Sequence, residues 1–153
     1  AVSDDAILFV SIHSKGSAPV ESVVLTNIDT NTNVRVNVRP RNLQQHELIS
    51  VEPGYYYLSR IHSSFSNLTP FHFEEIRGVI EIQSGKINYI GDLYIETSEN
   101  RKGGYSASYA YEASIETLRN AVQGDPSLFE DQDLVISIAG SSPIPVDAAL
   151  LGL

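Results

Sequence analysis

Apolar residues occur along the chain in short runs that recur at roughly 8–12-residue spacing and end at Gly, Pro, Asn or Ser. The runs are rich in Val, Ile and Tyr, which fit a pleated and half-buried surface. In the clearest run, residues 34–39, three valines alternate with Arg35, Asn37 and Arg39, so the valines are expected to face a core. This period of two predicts an all-β domain, an Ig-like or prealbumin-like antiparallel β-sandwich of about 7–9 strands.

Ten segments have the length and composition of β-strands. Because this number exceeds what one sandwich needs, one or two of the segments are expected to be loops. The stretch 29–33 contains Asp and Asn, which tolerate left-handed backbone, and is expected to close a hairpin. The candidate strands are residues 6–13, 20–28, 34–39, 47–51, 55–62, 71–76, 79–82, 87–96, 105–111 and 134–139.

The period changes in one segment, residues 114–122, which predicts a short helix. Ile115, Leu118 and Val122 stand at positions i, i+3 and i+7, and Gly124 follows as a stop signal. A helix of this length is not stable alone, so its apolar stripe is expected to pack on the sheet or cover an end of the sandwich.

The domain organisation follows from length and from proline placement. A chain of 153 residues is the size of one ordinary domain. We assign residues 1–140 to a single β-sandwich domain and residues 141–153 to a C-terminal tail, because Pro143 and Pro145 cannot donate to the interior of a ladder.

Two hairpin-like stretches carry a resemblance to known families. Residues 48–58, LISVEPGYYYL, resemble the PG-x-Y-x-L hairpin of carboxypeptidase-regulatory-like, or prealbumin-like, β-sandwiches. Residues 80–93, IEIQSGKINYIGDL, are similar to a stretch in small predicted lipoproteins of Gram-negative bacteria. The resemblance implies a compact sandwich behind an export signal and, for the lipoproteins, no established activity. This chain lacks the acylated Cys of a lipoprotein, so any lipid anchor is expected upstream of Ala1.

The same hairpin pattern assigns side chains to faces. It predicts that Tyr56 and Leu58 point inward, and that Tyr55, Tyr57 and Tyr94 point outward. On the later strand it predicts one inward face, formed by Ile87, Tyr89, Gly91, Leu93 and Ile95. The three outward tyrosines are the candidate ligand-binding residues, and together they could form a platform of aromatic faces. An exposed tyrosine can stack on sugars or on apolar groups of a partner.

Charge and composition exclude several function classes. Ten Lys and Arg stand against nineteen Asp and Glu, and the net charge of −9 disfavours nucleic acid and anionic lipid as partners. The excess is concentrated in residues 112–153, which contain one basic and seven acidic residues. No apolar run is long enough to span a bilayer. Because the chain contains no Met, either initiator processing or removal of an export signal is expected. The polar start followed by a strand-like run suits a mature exported protein, which places it in the periplasm or at the outer membrane.

The sequence offers no recognisable catalytic or metal-binding motif. It has no G-x-S-x-G and no Cys, and its histidines, including His13 and His62, are scattered. His72 and Glu74 are spaced as two ligands on one strand face, but two ligands do not make a metal site. We therefore predict no catalytic residue, no metal and no cofactor.

One local cluster of positive charge remains, formed by Arg35, Arg39 and Arg41 with Gln44 and Gln45 nearby. These side chains could hold a carboxylate or a phosphate, but an ordinary exposed strand face also accounts for them. The sequence leaves both interpretations open.

The hypothesis that fits these observations is a non-catalytic protein of the bacterial envelope that acts as a protein–protein interaction or structural module, with another envelope protein as its partner. An exposed sheet edge that accepts a further strand is one way to form such a contact. The alternative is a carbohydrate-binding module that uses the exposed tyrosines. An unrecognised hydrolase is the third class.

Overall fold

A computed structural model of the chain describes residues 5–16, 19–38, 46–63, 67–68, 78–99, 104–147 and 151. In these residues the chain forms eleven strands and two α-helices. The elements are, in chain order, β1 (Ala6–Gly16), β2 (Val20–Asn27), β3 (Asn33–Asn37), β4 (His46–Val51), β5 (Gly54–Ser63), β6 (Asn67–Leu68), β7 (Ile80–Ile82), β8 (Lys86–Glu99), β9 (Tyr105–Glu112), α1 (Ile115–Gly124), α2 (Pro126–Asp131), β10 (Asp133–Ile136) and β11 (Ile144–Val146).

The strands form two sheets, and the predicted all-β sandwich with a C-terminal helix is confirmed. The first sheet has the order β11-β10-β8-β1-β4, with β9 also paired to β8. The second has the order β3-β2-β5-β6, with β7 also paired to β5. Eleven strands exceed the predicted number because several are very short. The first sheet is also mixed, since β1 and β10 both run parallel to β8.

The core between the two sheets follows the predicted alternation. Tyr56 and Leu58 on β5 are buried, as the hairpin pattern predicts, in the same apolar cluster as Leu8 and Val10 on β1. The predicted hairpin loop between β2 and β3 is also present, and Asn31 within it has a φ of 61°. The period of two therefore identifies the inward faces of most strands.

The outer face of the first sheet is covered by the two helices. Leu118 and Val122 of α1 and Phe129 of α2 pack with Phe9 of β1 and Tyr89 of β8 in a second apolar cluster. The first sheet is thus buried on both faces, which explains why β8 is apolar at consecutive positions. The described part of the chain has no helix that is long and apolar enough to cross a membrane.

The helix prediction holds with one correction. α1 begins after Ser114, whose side chain accepts a hydrogen bond from the Thr117 backbone N–H and caps the helix. Leu118 and Val122 are buried as expected, but Ile115 is 65% exposed. Ile115 lies in the first turn, outside the stripe that faces the sheet, and so contributes nothing to the second cluster.

The single inward face predicted for β8 is wrong, because a bulge at Gly91 exchanges the two faces. Between the pairs Phe9–Tyr89 and Ser11–Asp92, β8 has one residue more than β1. Ile87 and Tyr89 therefore belong to the helix-side cluster, whereas Leu93 and Ile95 belong to the core between the sheets. The bulge also lies where the neighbour of β8 changes from β10 to β9.

The C-terminal segment predicted as a tail takes part in the fold. β11 pairs with β10 and places Pro145 opposite Val135 on an edge strand, where a proline is tolerated. Leu151 is buried in the helix-side cluster. The packed part of the chain therefore extends beyond residue 140. The predicted strand 71–76 and the pair His72 and Glu74 lie outside the described residues.

Replacing Gly91 with alanine is expected to lower the free energy of unfolding by about 2 kcal/mol. Gly91 has a φ of 98°, and a Cβ atom there would lie 3.2 Å from the Glu112 backbone oxygen and 2.9 Å from Ile138 Cδ1. Gly85→Ala is the matched control, because Gly85 also has positive φ, 71°, but an added Cβ meets nothing within 4 Å. Urea unfolding of both variants measures the difference, and an equal loss in the two would show that the close approach at the bulge has no cost.

Candidate functional site

The structure separates the three candidate tyrosines. Tyr55 and Tyr57 lie on the outer face of β5 in the second sheet, with Tyr55 47% exposed and Tyr57 partly buried. Tyr94 lies on the outer face of β8 in the first sheet and is 40% exposed. Because the core between the sheets separates these faces, the prediction that the three tyrosines form one platform is wrong.

Tyr55 belongs to an acidic part of the outer face. Its hydroxyl donates a hydrogen bond to Glu81 Oε1 at 3.1 Å. This bond and the charge of Glu81 raise the pKa of Tyr55, and the charge of Asp29 adds to the effect. At the same end of the sheet, the Thr32 hydroxyl donates to Glu52 Oε2 at 3.4 Å.

Tyr57 belongs instead to a groove on the outer face of β3, β2 and β5. The groove has a volume of about 410 Å³. It is lined by aromatic, polar and basic side chains, and the described lining includes no Asp or Glu. The lining residues are Val24, Thr26, Asn31, Asn33, Arg35, Tyr57, Ser59, Arg60 and His62.

A second bulge, in β5, places the basic residues in this groove. Leu25 pairs with Leu58 but Val24 pairs with Arg60, so Ser59 is the extra residue. Without the bulge, Arg60 would share the inward face of Leu58. With it, Arg60 and His62 face outward while Ile61 is fully buried.

A hydrogen-bond network fixes the floor of the groove. Thr26 Oγ1 lies 2.8 Å from Asn33 Oδ1 and 2.7 Å from Ser59 Oγ. Ser59 Oγ also lies 3.1 Å from the Val24 carbonyl oxygen. These contacts join β3, β2 and β5 through their side chains, so the groove is built on a rigid sheet rather than on a loop.

The basic residues flank the groove on both sides. Arg35 on β3 and Arg60 on β5 are both register partners of Val24 on β2, and so lie on either side of it. Arg35 Nη2 approaches His62 Nε2 at 3.5 Å. Among the described residues neither arginine forms an ion pair with a carboxylate. Of the predicted basic cluster only Arg35 is described, since Arg39 and Arg41 lie outside the described residues.

A second concave surface, of about 540 Å³, lies where β1, β8 and β9 meet around His13 and Tyr94. The His13 ring stacks on Tyr94 with centroids 4.6 Å apart and planes 13° from parallel. His13 Nε2 also lies 3.1 Å from Oδ2 of Asp92, which is 2% exposed. The surface and the residues beneath it therefore bring together a serine, a histidine and a carboxylate, the residue types of a catalytic triad.

The geometry of Ser11, His13 and Asp92 does not fit a Ser-His-Asp triad. In a triad the serine and the carboxylate bond to different ring nitrogens of the histidine. Here Ser11 Oγ and Asp92 Oδ2 both contact Nε2, at 3.3 and 3.1 Å, and Ser11 is buried at 1% exposure. This nitrogen cannot both accept the serine proton and donate to the carboxylate, so the cluster has no activated nucleophile.

Asp92 instead connects the first sheet to α1. Its Oδ1 accepts a hydrogen bond from the Tyr89 hydroxyl at 2.5 Å, and its Oδ2 accepts one from Thr117 Oγ1 at 2.9 Å. The Tyr89 hydroxyl in turn accepts the Ser114 backbone N–H at 3.0 Å. Burial first, and then the bond to Asp92, raise the pKa of Tyr89. The role of this cluster is therefore to hold the helix in place.

Sequence reasoning missed Arg60 and His62 as site residues, although a signal is present. Both stand at positions that strict alternation with Tyr56 and Leu58 would make inward, whereas Ile61 would point outward. Such an exchange of polar and apolar positions within one strand indicates a bulge.

Metal binding finds no support in the described part of the chain, which contains no group of three or more His, Asp or Glu side chains that could hold an ion. Comparison with known proteins adds no family: no family model matches this chain, and no curated protein matches it.

Proposed function

We propose that this chain is a binding domain without chemistry of its own, and that it docks a partner protein in the groove on the outer face of β3, β2 and β5. One observation carries the proposal: the groove presents Tyr57, Arg35 and Arg60 on a rigid sheet floor. Tyr and Arg are the side chains that most often dominate the energy of protein interfaces.

The cellular setting of the proposal is the bacterial envelope, with another envelope protein as the partner. Its support is the resemblance of residues 48–58 to prealbumin-like hairpins and of residues 80–93 to small lipoproteins. A non-catalytic role is supported by the second concave surface, where Ser11, His13 and Asp92 lack the geometry of a triad.

We expect a photo-crosslinking phenylalanine analogue in place of Tyr57 to form a reproducible adduct in envelope extracts of the source cells. The same analogue in place of Tyr94 is the control, because Tyr94 is at least as accessible as Tyr57 but lies on the other sheet. Excess wild-type protein should suppress the Tyr57 adduct. A variant with Arg35→Gln and Arg60→Gln should not suppress it. Identical adduct patterns at the two positions would contradict docking in the groove.

Carbohydrate binding is the second candidate, because Tyr57 lies among amide and guanidinium groups of Asn31, Asn33 and Arg35. A ring for stacking beside such donors and acceptors also suits a sugar. A glycan panel separates the two candidates: binding that is lost in a Tyr55→Ala and Tyr57→Ala variant would favour the sugar, and no binding by wild type would exclude it.

A further inference from the structure

We propose that the segment bound in the groove is acidic, and that one of its carboxylates is held between Arg35 and Arg60. This inference rests on the proposed function, because it names the chemistry of the partner that the same groove takes. The partner is thus an acidic peptide segment of another protein, lying across β3, β2 and β5.

The spacing of the two arginines suits a shared anion. Both are register partners of Val24, on the strands to either side of it. Adjacent strands lie about 4.8 Å apart, so the two Cα atoms are separated by roughly 10 Å. Two long side chains from this distance can converge above Val24, and each guanidinium can bind a carboxylate through two parallel N–H donors.

The hydrogen-bonding capacity of the arginines is largely uncommitted within the described residues. Arg35 has one contact, to the ring nitrogen of His62 at 3.5 Å, which is long for a hydrogen bond. Arg60 contacts no carboxylate of the described chain. Asn33 and Tyr57 lie beside the two arginines in the lining of the groove.

Charge complementarity selects an acidic partner over a basic one. The chain has a net charge of −9, and its C-terminal quarter is the most acidic part. The groove departs from this background, because its described lining contains two arginines and no acidic side chain. The acids Glu81 and Glu52 are not part of this lining; they bond to Tyr55 and Thr32, next to the end of the groove that Tyr57, Asn31 and Asn33 form. A basic segment would find better sites elsewhere on this molecule.

The test is a titration of the folded protein with a capped hexaglutamate peptide, monitored by NMR. The salt concentration is about 0.15 M, because screening then limits the repulsion between the acidic protein and the acidic peptide. The wild-type protein should bind the peptide, with chemical-shift changes confined to residues of β3, β2 and β5. Arg35→Gln and Arg60→Gln together should weaken binding by about tenfold or more, since each removes a charge-assisted bidentate contact. The matched control is Lys86→Gln with Arg119→Gln, which removes the same two charges outside the groove and should change affinity by less than about twofold.

Each outcome decides the inference. If both double variants bind hexaglutamate equally more weakly than wild type, net charge alone explains the loss and the proposal is overturned. Binding to anionic vesicles or inorganic phosphate without binding to hexaglutamate would also overturn it. If hexaglutamate does not bind but the Tyr57 cross-link forms, the acidic chemistry is wrong and docking in the groove stands. If hexaglutamate does not bind and the Tyr57 cross-link does not form, both the acidic partner and docking in the groove are wrong.

Discussion

Replacing Asp92 with alanine is expected to lower the free energy of unfolding by about 3 kcal/mol, because it breaks a buried set of charge-assisted hydrogen bonds. Asp92 is 2% exposed and accepts from Tyr89, Thr117 and His13. Its loss leaves the Tyr89 hydroxyl buried without an acceptor for its proton. It also removes the hydrogen bond from Thr117 Oγ1, which joins α1 to β8. Urea unfolding measures the change, and amide hydrogen exchange should show the largest loss of protection in α1.

The control for this prediction is Glu96→Ala on the same strand. Glu96 also faces outward, but it is exposed and pairs with Lys15 only at 3.8 Å. A surface pair of this kind contributes about 0.5 kcal/mol or less. If Asp92→Ala and Glu96→Ala lower the free energy of unfolding equally, the Asp92 cluster is not what attaches the helix to the sheet.

Raising the pH above about 10 is expected to destabilise the protein steeply. Above that pH two tyrosines keep their protons in the folded chain but lose them in the unfolded chain. Burial raises the pKa of Tyr111, whose hydroxyl has no hydrogen-bond partner among the described residues. Burial and the bond to Asp92 raise the pKa of Tyr89. Below about pH 10 both states hold these protons, so their contribution to stability is fully present there.

As the pH rises further, the unfolded chain releases the two protons while the folded chain retains them. Each tyrosine then lowers the free energy of unfolding by about 1.4 kcal/mol per pH unit. For the two tyrosines together this amounts to about 5 kcal/mol by pH 12. Urea unfolding at a series of pH values, with tyrosinate absorbance as a second signal, measures the slope.

Single substitutions separate the two contributions. Tyr111→Phe removes a buried hydroxyl without a partner, so it should raise stability at pH 7 by about 1 kcal/mol and reduce the alkaline slope. Tyr89→Phe should also reduce the slope, but it should lower stability at pH 7, because it breaks the bonds to Asp92 and Ser114. A slope that neither substitution changes would assign the alkaline transition to other groups.

The sequence predicted the fold class well because the inter-sheet core is built by simple alternation. Tyr56 and Leu58 on β5 and the valines of β3 lie where a period of two puts them. Alternation fails after a bulge, since one extra residue reverses every later assignment on that strand. The bulge at Gly91 exchanged the faces of β8, and the bulge at Ser59 concealed Arg60 and His62.

The remaining differences come from tertiary contacts that leave a weak local pattern. α2 is only six residues long and is not among the predicted elements, although Pro126 stands at its start, where proline is favoured. β11 contains Pro145 and forms because the edge of β10 offers a partner. The platform of three tyrosines required knowledge of which sheet each strand joins, and periodicity does not supply it.

The parallel pairing of β1 with β8 has a consequence for how the chain assembles. Ile7 pairs with Ile87 and Gly16 with Thr97, so β1 is synthesised about eighty residues before the strand that becomes its parallel neighbour. Until β8 is made, the edge of β1 opposite β4 is open to pairing with any other extended segment nearby. The interval between the synthesis of β1 and that of β8 is therefore when this chain is most prone to pair its strands wrongly.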